Sequence, residues 1–182
     1  MISLQDKSPR ILVIGDLMID HYLWGECDRV SPEAPVQIVN IAKESKLLGG
    51  AGNVINNLKA LGAEVDVISI IGKCETSKEL KLFLNDIEVD TKYLYEEHNR
   101  ITSKKTRIIA SQQQVVRYDC ESTNEISEKS QNYVLNNFKK IILDCELVLI
   151  SDYGKGILTN KLTQSLINIA NSNYKKVLID PK

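Results

Sequence analysis

Apolar and polar positions follow two different periods along this chain. Residues 11–14 form a continuous apolar run, Ile-Leu-Val-Ile, ending in Gly15-Asp16. A short run with no polar interruption predicts a strand buried on both faces, as in a parallel sheet. Residues 65–71, closed by Gly72, and residues 147–150 read the same way, and 91–95 and 176–179 add shorter strands. The stretches between them repeat every three to four positions. Helices are predicted over 77–85, with Leu80, Phe83 and Leu84 inward, from Ser127 to about Phe138, and over 159–171. Thr159 is placed to cap the last of these, whose Leu162, Leu166 and Ile169 share a face. An earlier helix is predicted where Gly49-Gly50-Ala51-Gly52-Asn53 gives way to Val54, Leu58 and Leu61 at helical spacing, with Gly62 as its stop and Asn53 as a possible N-cap.

Two segments depart from this strand–helix rhythm. Residues 22–24 and 36–41 are aromatic and β-branched and flank Gly25 to Pro35, where Pro32 and Pro35 forbid a helix. Residues 102–110 and 115–118 flank a polar turn at 111–114, and strand again follows strand. Two hairpins are therefore expected, at about 21–41 and 101–119, forming a small separate sheet that projects as a lid. The predicted whole is one α/β domain over residues 1–182, a mainly parallel sheet flanked by helices plus a β lid. The sequence stops on a fresh strand at Asp180-Pro181-Lys182, which would leave apolar surface uncovered, so a larger unit is expected.

Composition narrows the function classes. A chain of 182 residues that is 43% hydrophobic and 26% charged is neither disordered nor collagen-like. With 23 Lys and Arg against 24 Asp and Glu, the net charge of -1 supports neither a nucleic-acid partner nor an anionic membrane surface. The apolar runs are too short to span a bilayer and the N-terminus lacks a secretory apolar stretch, so a cytoplasmic protein is expected. Cys27, Cys74, Cys120 and Cys145 are scattered without a CxxC, and His21 and His98 are the only histidines. Structural zinc, a disulfide framework and triad hydrolysis are disfavoured on that account. His21, although beside a carboxylate, reads as a satisfied side chain rather than a catalyst.

Candidate chemistry gathers at predicted strand ends, where parallel sheets bind ligands. Asp16 and Asp20 follow the first strand and offer carboxylate acceptors for hydroxyls, although Asp16 could equally cap a turn. Gly49 and Gly50 would let a polyhydroxylated or anionic ligand approach backbone N–H groups at a helix start, beside the amide of Asn53. Lys104, Lys105, Arg107 and Arg117 make the second hairpin basic. The lysines fit a protected sheet edge, whereas the guanidinium groups of Arg107 and Arg117 can grip a phosphate bidentately. Asp152 and Lys155, bracketed by glycines in Ser151-Asp152-Tyr153-Gly154-Lys155-Gly156, form a third pair, with an ordinary strand-to-helix loop as the alternative. No GxxxxGK[ST] loop is present, and the glycine stretch lacks the third glycine of a dinucleotide fingerprint, with Ile55 in its place.

Gly49, Gly50, Asn53, Gly62 and Gly72 stand in the register of the first signature of the PfkB, or ribokinase-like, carbohydrate kinases, with Ile55 where that family carries a small residue. Gly15-Asp16-Leu17-Met18-Ile19-Asp20, the turn from Arg29 to Val36, Gln113 to Asp119, Ser151 to Gly156 and Leu178 to Lys182 extend the likeness in order. The chain resembles the heptose 7-phosphate kinases of that family over about the first half of the kinase domain. The resemblance implies a ribokinase-like fold and transfer of phosphate from ATP, with Mg²⁺, to the anomeric hydroxyl of D-glycero-β-D-manno-heptose 7-phosphate. It further implies a homodimer formed through the lid. In these terms Asp16, Asp20 and Asn53 hold hydroxyls, Gly49 and Gly50 permit close approach, Arg107 and Lys155 neutralise phosphate, and Asp152 orients sugar or water. Arg117 is a further phosphate candidate. The family's Gly-Ala-Gly-Asp-like segment, which carries the catalytic base, has no counterpart here. The base is expected beyond residue 182, and these residues alone are expected not to turn over. A non-catalytic, self-associating fragment is the alternative; a Rossmann-type oxidoreductase is a weaker one.

Overall fold

The structure, a computed structural model, describes residues 8–182. In chain order the elements are β1 (Arg10–Gly15), β2 (Leu17–Val30), β3 (Gln37–Gly50), α1 (Ala51–Ala60), β4 (Glu64–Gly72), α2 (Glu75–Asp86) and β5 (Leu94–Glu97). There follow β6 (Ser103–Ala110), β7 (Gln113–Cys120), α3 (Glu128–Ile141), a short 3-10 turn (Ile142–Asp144), β8 (Leu147–Ser151), α4 (Asn160–Ser172) and β9 (Lys176–Asp180).

Five strands in the order β5-β4-β1-β8-β9 make an all-parallel sheet. Its centre, β1, needs apolar side chains on both faces because helices cover both. Ile11 and Val13 pack with Ala51, Ile55, Leu80 and Leu84 under α1 and α2. Leu12 and Ile14 pack with Val134, Phe138, Leu162 and Leu166 under α3 and α4. Ser127 and Thr159 cap α3 and α4 by accepting from the backbone N–H groups of Ser130 and Leu162. This is the mainly parallel, helix-flanked α/β arrangement expected, with β5 starting three residues later than the predicted strand.

The second sheet has the order β3-β2-β6-β7. Its central pair, β2 and β6, is parallel, while β3 and β7 add antiparallel edges. The two hairpins thus form one lid, as predicted, but the first is much longer than residues 21–41. It leaves β1 with only Asp16 between, and runs back without a break into the first turn of α1. The second hairpin closes on Ser111 and Gln112 alone, both at positive φ, the two-residue turn that suits strand twist. Because β6 lies inside the sheet, Lys104 and Lys105 are not edge guards; the edges are β3 and β7.

Two expectations for α1 are corrected. Its cap position is Gly50, at φ 57° and ψ -133°, a conformation open to glycine, so Asn53 is not the N-cap but lies within the first turn. The buried face is Ala51, Gly52 and Ile55, whereas Leu61 is 67% exposed. Long β3 delivers the chain to α1 from the lid side, and this sets which face turns inward.

Asp16 is also corrected: it is fully buried rather than at the mouth of a crevice. Its Oδ2 accepts from the backbone N–H groups of Tyr153 (2.8 Å) and Lys155 (3.1 Å), and its backbone oxygen accepts from Ala51 at the start of α1 (3.0 Å). One residue therefore ties the β1–β2 junction to α1 and to the loop after β8. Burial lifts its carboxyl above the ordinary range, and the N–H groups of Lys155 and Tyr153 offset part of that rise. An acid whose folded pKa is raised carries no penalty below its unfolded value and an increasing one as pH climbs through the folded value. Asp16→Asn should therefore gain stability relative to the parent as pH is raised across that acid window. Urea unfolding of both proteins over a pH series checks this, and a difference independent of pH would contradict it.

Candidate functional site

The period of β2 decides what faces the ligand side of the lid. Met18, Asp20, Tyr22 and Trp24 alternate onto one face, and Ile19 and His21 onto the other, where both are buried. Pairing carries the first face across the sheet: Asp20 lies beside Lys105, which lies beside Asp119, and Tyr22 beside Arg107, which lies beside Arg117.

Asp20 and Arg107 form the centre of this face. Arg107 Nη1 donates to Asp20 Oδ1 at 2.5 Å, and its guanidinium lies 5.1 Å from the centre of the Tyr22 ring, which stacks on Trp24. Burial works against the guanidinium's charge, yet the hydrogen bond to Asp20 and the charges of Asp20 and Asp119 hold its pKa above the ordinary value. The other oxygen of Asp20 rests against the bare Cα of Gly49, where a Cβ would collide with it. Gly49 is thus needed for the position of the carboxylate. At Gly50 a Cβ would meet the backbone oxygen of Asp16, so the chain path itself requires glycine there.

A cavity of about 410 Å³ opens beside Asp20. Asp20, Tyr22, Lys46, Asn53, Asn56 and Asp86 give it hydrogen-bonding groups, and Leu47, Leu48, Phe83 and Ile87 an apolar lining. Such a wall suits a sugar, whose hydroxyls need paired acceptors and donors and whose C–H faces need apolar contact. Lys46 Nζ meets Glu79 at 2.7 Å and Glu44 at 3.1 Å, and these bonds raise its pKa and keep it charged. Among the described residues no group of three or more His, Cys, Asp or Glu side chains is arranged to hold a metal ion.

Of the residues singled out from sequence, Asp20 and Asn53 share this cavity, Gly49 supports Asp20, and Arg107 pairs with Asp20. Arg117 lies on the same face opposite Arg107 but is half exposed, and its Nε meets Asp119 at 3.1 Å. Lys155 is not brought there: it is 8% exposed and its ammonium donates to Glu121 at 2.7 Å. Asp152 accepts from the N–H of Gly154 at 2.8 Å, which organises its own loop. Both are engaged by neighbouring protein groups, and neither lines the Asp20 cavity. Beside them the buried Arg100 donates to the carbonyls of Asn124 and Lys155, and burial lowers its pKa against the opposing charges of Glu97 and Asp16. Sequence reasoning missed Arg100 and the roles of Lys46, Asn56, Phe83 and Asp86. Only the alternation through Asp20, Tyr22 and Trp24 was a readable signal, and it marks Tyr22. His21 Nδ1 meets Thr106 Oγ1 at 3.1 Å, while its buried Nε2 lies 2.9 Å from Glu44 without the alignment of a hydrogen bond, so the ring is only partly satisfied.

Comparison with known proteins agrees with this fold. Solved structures show the same fold at low identity: a carbohydrate kinase from Agrobacterium tumefaciens (TM-score 0.69, 20% identity, 94% of this chain and 53% of that one) and a ribokinase from Arabidopsis thaliana complexed with ribose and ATP (TM-score 0.65, 14% identity, 96% and 54%). Among curated relatives, the bifunctional protein HldE of Aliarcobacter butzleri is 62% identical over 97% of this chain, and that of Sulfurimonas denitrificans is 54% identical over 98%. The chain spans 37% and 38% of the length of these two relatives. The pattern of the pfkB family carbohydrate kinases matches residues 8–182, and the chain belongs to that family.

Proposed function

We propose that these residues form the sugar-binding half of an ATP-dependent kinase acting on the anomeric hydroxyl of D-glycero-β-D-manno-heptose 7-phosphate. The observation that carries this reading is the carboxylate of Asp20, seated against Gly49 and bonded to Arg107, beside a cavity it shares with Asn53. The high identity to HldE proteins supports the heptose over other sugars of the family.

In this mechanism Asp20 and Asn53 take sugar hydroxyls and fix which one points at the incoming phosphoryl group. Arg107 already has a carboxylate partner, so a substrate phosphate competes for a guanidinium that is in place and charged. Arg117, one strand further out, offers a second guanidinium to the same anion. Asp16 acts indirectly, by holding α1 and the loop after β8 in register. The lid excludes water from the transfer step. ATP supplies the phosphoryl group and Mg²⁺ neutralises its charge in such kinases. We assign the catalytic base to sequence outside these 182 residues. The four unpaired cysteines suit a reducing cytoplasm.

The lid also favours self-association. Trp24, Val115, Val116 and Tyr118 are each at least 40% exposed, and β7 is an open edge. We propose that two lids pair in a homodimer.

In the full-length protein, Arg107→Ala should weaken binding of heptose 7-phosphate by about 10–100-fold, the worth of a lost charge-assisted contact, as read by calorimetry. Asp20→Asn should reduce kcat/KM by at least about tenfold, and residues 1–182 alone should show no turnover. Wild-type kinetics for Asp20→Asn, or phosphorylation by the 182-residue polypeptide, would each refute its part of the reading. Light scattering should report a dimer that Trp24→Glu disperses; a monomer at micromolar concentration would count against lid pairing.

A further inference from the structure

Asp20 and Arg107 stand on parallel neighbouring strands although 87 positions separate them in sequence. No tight turn joins β2 to β6, so turn geometry cannot set their register as it does in a hairpin. A parallel ladder also has evenly spaced bonds, without the alternation of close and wide pairs that marks an antiparallel alignment. Side chains must therefore supply the register.

Among the described residues two side-chain hydrogen bonds join these strands, one on each face. Arg107 to Asp20 is the bond on the ligand face. Directly behind it, one residue on in β2 and one residue back in β6, His21 Nδ1 meets Thr106 Oγ1 at 3.1 Å. Both residues are buried, His21 7% exposed and Thr106 0%, so neither can turn to water for a partner. Along this hidden face β6 carries Lys104, Thr106 and Ile108 in turn. A slip of two residues would set His21 beside an ammonium or beside hydrocarbon, and either strands the imidazole. The same slip moves Arg107 to the row of Trp24 or to the row of Asp20, and the present grouping of guanidinium, carboxylate and Tyr22 ring is lost. A slip of one turns every side chain to the wrong face. A buried polar pair satisfied in one alignment marks register more than it adds stability.

The other ring nitrogen decides which way the hidden bond runs. Nε2 is buried and lies 2.9 Å from Glu44 Oε1, off the line of a hydrogen bond. Lys46, 3.1 Å from the same oxygen and itself joined to Glu79 of α2, holds the Glu44 carboxyl below its usual range, so that carboxylate only accepts. A ring nitrogen this close to a carboxylate carries the hydrogen. In the neutral ring Nδ1 is then the acceptor, and the Thr106 hydroxyl donates to it.

We propose that His21 is a positioning residue for the sugar-phosphate site, its bond to Thr106 keying the register of β2 against β6 and so holding Arg107 to Asp20. The register key stands on these contacts alone; its effect on substrate rests on the function proposed above.

Variants of the full-length protein test it. His21→Leu keeps bulk and removes the bond, Thr106→Val removes it from the other strand, and His21→Asn returns an acceptor to the place of Nδ1. KM for heptose 7-phosphate should rise about tenfold or more in the first two, as when a buried partner is stranded, while kcat stays within about threefold and KM for ATP is unchanged. In His21→Asn, KM should return to within about threefold of the parent. A parental KM in His21→Leu, or a His21→Asn no better than His21→Leu, overturns the proposal. Combining His21→Leu with Thr106→Val should cost no more than either alone; additive losses would reject the pair as a unit. Without ligand, amides of β2 and β6 should exchange about tenfold faster in His21→Leu and Thr106→Val than in the parent, and unchanged exchange would reject the register key. Nitrogen-15 spectra should place the hydrogen of the neutral His21 ring on Nε2; hydrogen on Nδ1 would reject Thr106 as donor. Should His21→Leu not fold, Thr106→Val against Thr106→Ser, which keeps the hydroxyl, decides the same point. If the parent does not bind the sugar phosphate, the functional reading falls, and exchange and the ring spectrum still decide the register key.

Discussion

A buried carboxylate at the junction of two sheets is the constraint from which the rest follows. Asp16 is the single residue between β1 and β2, and its two acceptor groups reach in different directions. The side chain gathers the loop after β8 and the backbone oxygen receives the start of α1. Water would ordinarily hydrate such a group, and removing it costs free energy that only N–H donors can offset. The loop cannot leave without stranding the carboxylate. This holds the body's sheet, α1 and the base of the lid in one arrangement, and Asp20, four residues on, inherits its position from it.

The lid then works by strand alternation. Once Asp16 fixes where β2 begins, period two places Asp20 and Tyr22 on the ligand face and His21 on the buried face. The parallel partner β6 places Arg107 beside Tyr22, within reach of Asp20. Gly49, on the antiparallel partner, leaves space for the carboxylate. Three strands therefore set one ion pair, and none of these residues is near another in sequence except Asp20 and Tyr22.

Much of the body was legible in sequence because its strands are short, wholly apolar runs and its helices keep one periodicity. Residues 11–14 and 147–150 could hardly be anything else, and the caps at Ser127 and Thr159 lie where the hydroxyls suggest. What escaped is non-local. Asp16 and Asp20 are alike as residue types, and only the immediate turn from β1 into β2 makes the first structural and exposes the second. Lys155 stands out as a site candidate because glycines bracket it; its partner Glu121 lies 34 positions away, and no local pattern announces the pair. The hairpin estimate of 21–41 fell short because Lys43, Glu44, Ser45 and Lys46 lack the β-branched pattern of 36–41, whereas in a two-sided lid strand such polar residues are tolerated.

The parallel pairing of β2 with β6 has a consequence for how the molecule is made. His21 and Thr106 meet across that pair although 85 positions separate them, and α1, β4, α2 and β5 all lie in the intervening chain. Closing so large a loop early is entropically unfavourable, whereas a compact intervening body shortens the effective gap. Loop entropy thus places the lid's central seam after the compaction of α1, β4, α2 and β5.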